Sequence, residues 1–308
     1  MTLLPVLLLS LVILSSCQAL SQSAALSSSS QTIALITGAN KGIGYEIVKR
    51  LSQDSNITCI LGCRNMDLGK NAIESLQKDG CKNLDLVEID LEKVDTHDEV
   101  ARYILETYGK CDILVNNAAV CFNDSTLYGK VPHTPFEKQA EITVATNFFG
   151  TLSLTEKLLP LLEKSSSPRI INIASSAGRL SILPSEERRQ SFSSNDLSID
   201  KLKTFMNEFV QDAQNGNHVE NGWPNTGYGV SKVGIIAMTK ILATTYPNMM
   251  VNSVDPGYCR TDQNDNQGFV PPERGALTPY LLATIDGENQ FTTGNHWYEE
   301  QAISWMYQ

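Results

Sequence analysis

Tyr228 and Lys232, in the run Tyr228-Gly229-Val230-Ser231-Lys232, stand four positions apart at the start of a segment of helical period, so their side chains share one face. A phenol with its ordinary pKa near 10 is a poor acid or base at neutral pH. An ammonium beside it favours the phenolate and moves the group toward the working range. Such a pair can deliver a proton to a carbonyl oxygen while a hydride arrives at the carbon. The same spacing also suits a core tyrosine with a surface lysine one turn on, so the pair alone does not decide.

A second constellation is Thr37-Gly38-Ala39-Asn40-Lys41-Gly42-Ile43-Gly44, which follows a β-branched run and leads into an amphipathic helical segment. Glycines there let the backbone approach a pyrophosphate resting on the helix N-terminus, where unpaired N–H groups and the dipole favour anions. Gly38, Asn40, Lys41, Gly42, Ile43 and Gly44 are therefore candidates for binding a dinucleotide. The second strand runs out at Gly62-Cys63-Arg64, where a site for NAD would place an acid on the ribose 2′-hydroxyl, and no acid is there. Arg64 and Lys41 offer two cations for a 2′-phosphate instead, which points to NADP(H); two solvated surface charges are the plainer reading. Asp90 and Leu91, closing the third strand, are placed to bracket an adenine, although an acid often closes a strand in plain loops.

These residues need a scaffold, and the pattern from Thr32 onward supplies one. Short β-branched runs alternate with longer segments of helical period, the signature of βαβ units in an α/β, doubly wound parallel sheet of a single domain. Strands are expected at Thr32 to Thr37, Thr58 to Gly62, Leu84 to Ile89, Asp112 to Asn116, Arg169 to Ala174 and Met250 to Val254, with a weaker seventh near Gln290 to Thr293. Helices fall between them, among them Gly42 to Gln53, Leu68 to Gln77 and His97 to Tyr108. The polar stretch from Leu180 to Asn221, followed by Gly222-Trp223-Pro224, breaks the alternation and reads as an insertion at about 180–222. Within it Leu202, Phe205, Met206 and Phe209 repeat at helical spacing, so a helix of about four turns should dock one apolar face on the body.

Further motifs close three strands or helices: Asn116-Asn117-Ala118-Ala119, Thr146-Asn147-Phe148-Phe149-Gly150 and Asn172-Ile173-Ala174-Ser175-Ser176-Ala177-Gly178. Together with the glycine turn and the Tyr228–Lys232 pair, their order and spacing along Thr32 to Asp262 resemble the short-chain dehydrogenase/reductase family. The resemblance implies that Tyr228 is the catalytic acid and that Lys232 binds the nicotinamide ribose and lowers the tyrosine pKa. It implies that Ser175 holds the substrate oxygen and that Asn147 positions the water of a proton relay. Ser175 is preferred over Ser176 because the family motif places its serine three residues before the glycine, here Gly178. By the same resemblance Asn117 contacts the cofactor, Asn116 braces the sheet, and Pro256-Gly257 with Thr261 matches the segment that holds the nicotinamide carboxamide.

A narrower similarity is to the carbonyl reductases of that family. Ser175 and Tyr228 are 53 positions apart (228 − 175), and the long gap looks like the insertion of this branch. Asn207-Glu208-Phe209-Val210, Gly222-Trp223-Pro224 and Arg260-Thr261-Asp262 echo it. The similarity implies NADPH-dependent reduction of aldehydes, ketones or quinones by a monomer, because the inserted helix covers the surface on which other members dimerise. Departures bear on substrate range: Ala119 stands where glycine is usual, Ala174 where serine is common, Asp255 where a neutral residue is frequent, and Tyr258 where a tryptophan often lines the substrate cleft. A dedicated reductase of a terpenoid or alkaloid ketone is the nearest alternative. A non-catalytic NADPH-binding protein is another, although such proteins usually lose the tyrosine or the lysine.

Composition narrows the partners. The 308 residues hold 34 acidic against 24 basic side chains, a formal charge of −10, with no basic patch to attract nucleic acid or anionic lipid. The seven cysteines and four histidines show neither a disulfide framework nor a zinc spacing, so no metal is expected. No charged residue precedes Lys41, and Leu3 to Leu14 form an apolar run of signal-peptide length followed by small residues at Ser15, Ser16, Cys17 and Ala19. That order marks residues 1–19 as a secretory signal cleaved near Cys17 to Ala19, with 20–31 as a serine-rich leader or linker and 32–308 as the enzyme. Two other readings stay open: lipidation of Cys17 in Leu14-Ser15-Ser16-Cys17, or a bipartite plastid leader running through Ser21 to Gln31. Cys59, Cys63 and Cys111, in or beside expected buried strands, favour a reducing destination.

Overall fold

The computed structural model describes residues 31–122, 134–285 and 292–306; the signal expected in 1–19 and all but the last residue of the leader expected in 20–31 lie outside them. The apolar runs fold as strands β1 (Thr32–Thr37), β2 (Ile57–Cys63), β3 (Leu84–Glu88), β4 (Ile113–Asn116), β5 (Arg169–Ile173), β6 (Met250–Asp255), β7 (His296–Tyr298) and β8 (Gln301–Ile303). They form one sheet in the order β3-β2-β1-β4-β5-β6-β7-β8, parallel from β3 to β7, with β8 antiparallel on β7.

Alternation along the strands divides the core. Leu35, Ile60, Leu114 and Ile170 join the apolar cluster on one face, and Ile36, Leu61, Val115 and Ile171 join the cluster on the other. Both faces are covered by helices, which is why the central strands are buried throughout. The second face carries α1 (Gly42–Leu51), α2 (Met66–Lys78) and the C-terminal helices α9 (Pro272–Gly275) and α10 (Leu277–Thr284). The first carries α3 (Val94–Tyr108), α4 (Phe136–Val144), α5 (Thr151–Leu162) and α8 (Gly227–Thr245). Among the described residues no helix is long and apolar enough to cross a membrane.

The inserted stretch forms α6 (Glu186–Ser193) and α7 (Ile199–Asn215). Ser198 caps α7 by accepting from Lys201 N at 3.3 Å, and Gly216 ends it at φ +74°. Its buried face is Leu202, Met206, Phe209 and Ala213, with Phe205 only partly buried, and it packs across α4 and α8. Trp223 is fully buried against Phe192 and Phe209; its indole donates to Asp212 at 2.9 Å under the Arg188 guanidinium.

Six strands lie within a residue or two of their expected ends, but the seventh is displaced. It was expected near Gln290 to Thr293, whose first two residues lie outside the described ones; the strand β7 begins instead at His296. Gly294 at φ +75° turns the chain before it, and Thr293 Oγ1 accepts from Val251 N at 3.1 Å on the approach. The antiparallel β8 corrects a wholly parallel reading. It follows a turn in which Glu299 and Glu300 both adopt positive φ, a conformation two glutamates do not announce in sequence.

Candidate active site

The strand order reverses between β1 and β4, and the crevice at the carboxyl ends of the strands opens there. Tyr228 and Lys232 enter it from the first turns of α8, whose N-cap Thr226 accepts from Gly229 N at 2.9 Å. The end of β5 lies directly on these turns. A Cβ on Gly178 would sit 2.7 Å from the backbone carbon of Lys232, so glycine is required for the approach. That contact brings Ser175, which opens the short helical turn Ser176–Gly178, within hydrogen-bonding reach of the Tyr228 hydroxyl. Ser175 Oγ also accepts from Ala177 N at 3.1 Å, which fixes its direction.

Lys232 is 3% exposed. Its ammonium donates to the Ile173 carbonyl at 2.7 Å and lies 5.5 Å from the centre of the Tyr228 ring. Burial brings its pKa down to about 8. The Tyr228 phenol is pushed up from its ordinary value by burial first, then by the neighbouring Cys121 and Asp255, while hydrogen bonds from Ser175 and Gln263 act the other way. In the protein without bound cofactor, desolvation outweighs the other influences on the Tyr228 phenol, and the Lys232 ammonium donates to Ile173.

Asn147 sits in the π-helical stretch Ala145–Gly150 between α4 and α5, a distortion frequent at functional sites. Its side chain is 1% exposed and clamps the peptide of Val120, donating to the carbonyl at 2.9 Å and accepting from the N–H at 2.8 Å. It also donates to Ser231 Oγ at 3.1 Å, which in turn donates to the Tyr228 carbonyl at 2.7 Å. Asn147, Ser175, Tyr228 and Lys232 are thus gathered by three separate elements, the tyrosine and lysine sharing α8.

The glycine turn packs against the end of β4. Gly38 and Gly42 hold φ of +64° and +58°, and a Cβ on Gly44 would fall 2.6 Å from both Asn117 Nδ2 and the Gly38 carbonyl. Asn117 holds this turn: its N–H donates to Thr37 Oγ1 at 2.9 Å and its amide to the Thr37 carbonyl at 2.8 Å. Asn116 donates to Thr155 on α5 at 3.0 Å and across the sheet to Asn172 on β5 at 2.8 Å. No side chain caps the N-terminus of α1 at Lys41, and no acid occupies its first turn, so its amides and dipole face the crevice uncompensated. Asn40 and Ile43 flank that end. The glycine cradle and these free amides fit a dinucleotide pyrophosphate.

Arg64 is exposed at the end of β2 and makes no ion pair among the described residues. Lys41 is bound to Asp262 at 2.9 Å across the mouth, and this holds the Asp262 carboxyl below its ordinary pKa. Asp90 accepts from Glu92 N at 3.2 Å and pairs with Lys93 at 3.3 Å; Leu91 is buried beneath Gly150, whose Cβ would meet the Leu91 carbonyl. Past β6, Gly257 at φ +79° donates to Asp255 Oδ1 at 3.0 Å, after Pro256, and Thr261 caps the turn Asp262–Asn264. Tyr258 stands 42% exposed on this segment, edge-on to Phe269 at 5.6 Å.

Sequence reasoning missed Cys121 and Gln263. Both neighbour Tyr228, and the Gln263 side chain favours the ionised forms of the tyrosine hydroxyl and the Cys121 thiol. Their only signal was proximity in sequence to Asn117 and Thr261.

Residues 32–184 match the family model described as short chain dehydrogenase. Carbonyl reductase [NADPH] 1 of Bos taurus is 34% identical over 285 residues, 90% of this chain and 100% of that protein. The same enzyme of Mus musculus is 33% identical over 287 residues, 90% of this chain and 100% of its own. Among solved structures, salutaridine reductase from Papaver somniferum aligns with a TM-score of 0.79 at 30% identity, covering 87% of this chain and 100% of that one. Menthone neomenthol reductase from Mentha piperita aligns at 0.76 with 28% identity, covering 87% and 99%. The chain belongs to the short chain dehydrogenase family, in the branch of its carbonyl reductases.

Proposed function

We propose that this chain reduces small aldehydes, ketones or quinones to alcohols with NADPH, Tyr228 giving the proton. The observation that carries the reading is the packing of the Ser175 turn on α8, Gly178 flush against Lys232, with the Lys232 ammonium 5.5 Å from the centre of the Tyr228 ring. NADPH, when bound on the glycine turn, supplies the hydride for the carbonyl carbon. Ser175 holds the carbonyl oxygen beside the phenol, and Tyr228 passes its proton to that oxygen as negative charge develops there. Lys232, with its pKa near 8, refills the proton through the Asn147 region and orients the ribose. The uncapped α1 N-terminus, Gly38, Gly42 and Gly44 seat the pyrophosphate, Arg64 and Lys41 take the 2′-phosphate, Asp90, Leu91 and Asn117 frame the adenosine half, and Pro256, Gly257 and Thr261 hold the carboxamide end.

Tyr258 lines the outer substrate cleft on this reading. A monomer is supported by α7, which covers α4 and α8. The leader in 1–30 directs the chain into the secretory route, with secretion or a plastid as its end. A dedicated reductase of a terpenoid or alkaloid ketone is favoured by one specific observation, the likeness to salutaridine reductase and menthone neomenthol reductase. Loss of NADPH absorbance with quinones, aromatic ketones and cyclic terpenoid ketones, in the wild type and in Tyr228→Phe, tests both readings. Tyrosine-dependent turnover of the general panel supports the first, turnover of terpenoid ketones alone supports the second, and Tyr228→Phe as fast as wild type removes both.

A further inference from the structure

On the α8 face of the sheet, beside β7 and β8, lies a second cavity of about 640 Å³, within the range of small-molecule sites. None of Asn147, Ser175, Tyr228 and Lys232 lines it. Its walls come from the insertion through Phe192 and Leu197, from α8 through Lys240 and Ile241, and from the C-terminal segment through His296 and Trp305.

Three observations define what would fit there. The first is charge: no aspartate or glutamate lines the cavity, although the chain as a whole carries −10. The Lys240 ammonium reaches only the Gly294 carbonyl at 3.3 Å and the Trp305 ring at 5.8 Å, and it has no carboxylate partner among the described residues. The second is His296, 1% exposed and among the residues that line the cavity. Its Nδ1 is engaged with Ser253 Oγ at 3.0 Å, and its Nε2, on the other side of the ring, has no partner among the described residues. Ser253 Oγ has one proton and lies 3.0 Å from Nδ1 and 3.5 Å from the Asn295 carbonyl; when it donates on the shorter contact, Nε2 carries the ring proton and needs an acceptor. Burial first, then Arg179 and Lys240 nearby, brings the imidazole pKa down to about 4 and keeps the ring neutral. The third is the aromatic and aliphatic wall of Phe192, Leu197, Ile241 and Trp305 opposite these groups.

We propose that this cavity is a second small-molecule site, separate from the catalytic crevice, that takes an amphipathic carboxylate, its acid group between Lys240 and His296 and its apolar body against Trp305 and Phe192. A carboxylate supplies the counter-ion that Lys240 lacks and the acceptor that Nε2 lacks, and the desolvated surroundings strengthen both contacts.

The test is calorimetric titration of the full chain with 2-naphthoate, and with 2-naphthalenemethanol as the uncharged analogue, with and without saturating NADPH. Expected is one-to-one binding of 2-naphthoate with Kd below about 1 mM, unchanged by NADPH and in Tyr228→Phe, and weakened about tenfold or more both in Lys240→Met and when the carboxylate is replaced by the alcohol. Lys240 is an exposed residue of α8, so the variant retains the fold. Absence of saturable binding, displacement by NADPH, or equal affinity in Lys240→Met would each overturn the proposal. None of these results touches the reductase reading, which rests on turnover.

Discussion

Lys232 Nζ lies 2.7 Å from the carbonyl oxygen of Ile173, so the last residue of β5 holds the ammonium while the Tyr228 ring lies against it at 5.5 Å. The strand end that carries Ser175 two residues on is thereby tied to the helix that carries the tyrosine and lysine. One hydrogen bond sets the register between the halves of the site.

That burial has a pH signature. The Lys232 pKa falls from 10.5 to about 8 on folding, so between those values the unfolded chain holds a proton that the folded chain has released. Stability therefore rises as pH climbs from about 8 toward 10.5, and below pH 8, where both states are protonated, the full cost is present. The size is on the order of 3 kcal/mol. Thermal unfolding of the cofactor-free wild type and Lys232→Met should show the variant more stable at pH 7, offset by about 1 kcal/mol for the stranded Ile173 carbonyl, with the gap closing by pH 10. A gap that does not change with pH would rule this account out.

Gly44→Ala should abolish cofactor binding more than it harms the fold. The added methyl would lie 2.6 Å from Asn117 Nδ2 and from the Gly38 carbonyl, and backbone cannot yield that much without opening the turn. A stability loss of about 1 to 3 kcal/mol is expected from the overpacking. NADPH affinity, followed by quenching of protein fluorescence, should fall at least about tenfold, because the amides that face the pyrophosphate move with the turn. Gly80→Ala is the control, since nothing lies within 4 Å of its Cβ position, so any loss there reports only its φ of +85°.

Arg64 and Lys41 are not equal in the choice of cofactor. Arg64 is free to meet a 2′-phosphate, whereas Lys41 must first leave Asp262. Arg64→Ala should raise the KM for NADPH by about ten to a hundredfold and leave that for NADH nearly unchanged, as expected for one lost charge-assisted contact. Asp262→Asn should do the reverse, improving NADPH binding a few-fold at low salt and losing the advantage near 1 M, since both partners are exposed and the pair is screened. Equal losses for the two cofactors in Arg64→Ala would place the arginine elsewhere.

The residues gathered in the crevice were legible where a local rule fixes their neighbours. Tyr228 and Lys232 share a face because they are one helical turn apart, and the glycine turn follows from a strand feeding a helix. Chemistry that depends on long-range packing was not legible. Gln263 meets Tyr228 from a loop beyond β6, and Asp255 is 4% exposed because α8 and β7 close around it. The displaced β7 and the unforeseen β8 have three residues each, too short for a period-2 signal, and their pairing is set by the sheet edge they find. The depth of Tyr228 belongs with these: spacing shows that an ammonium is near, but not how far packing buries the phenol.

Trp305 links the C-terminal segment to the catalytic strand end. Its Nε1–H donates to the Gly178 carbonyl at 2.8 Å, and Leu180 N donates back to the Trp305 carbonyl at 3.4 Å. Gly178 is also the residue that lies flush on Lys232, so a loosened Trp305 would let the Ser175 turn drift from the Tyr228 hydroxyl. Trp305→Phe keeps an aromatic ring but removes the Nε1–H donor and the volume of the five-membered ring from a buried position. The fold should lose about 2 to 3 kcal/mol, and kcat should fall by up to about tenfold, because a small misplacement of a positioning group is costly in rate. The KM for NADPH should not change, since the glycine turn and Arg64 are remote from this contact. Wild-type kcat with the same stability loss would reduce Trp305 to a packing residue. A parallel rise in the KM for NADPH would mean that the whole crevice, rather than the serine turn, depends on the C-terminal segment.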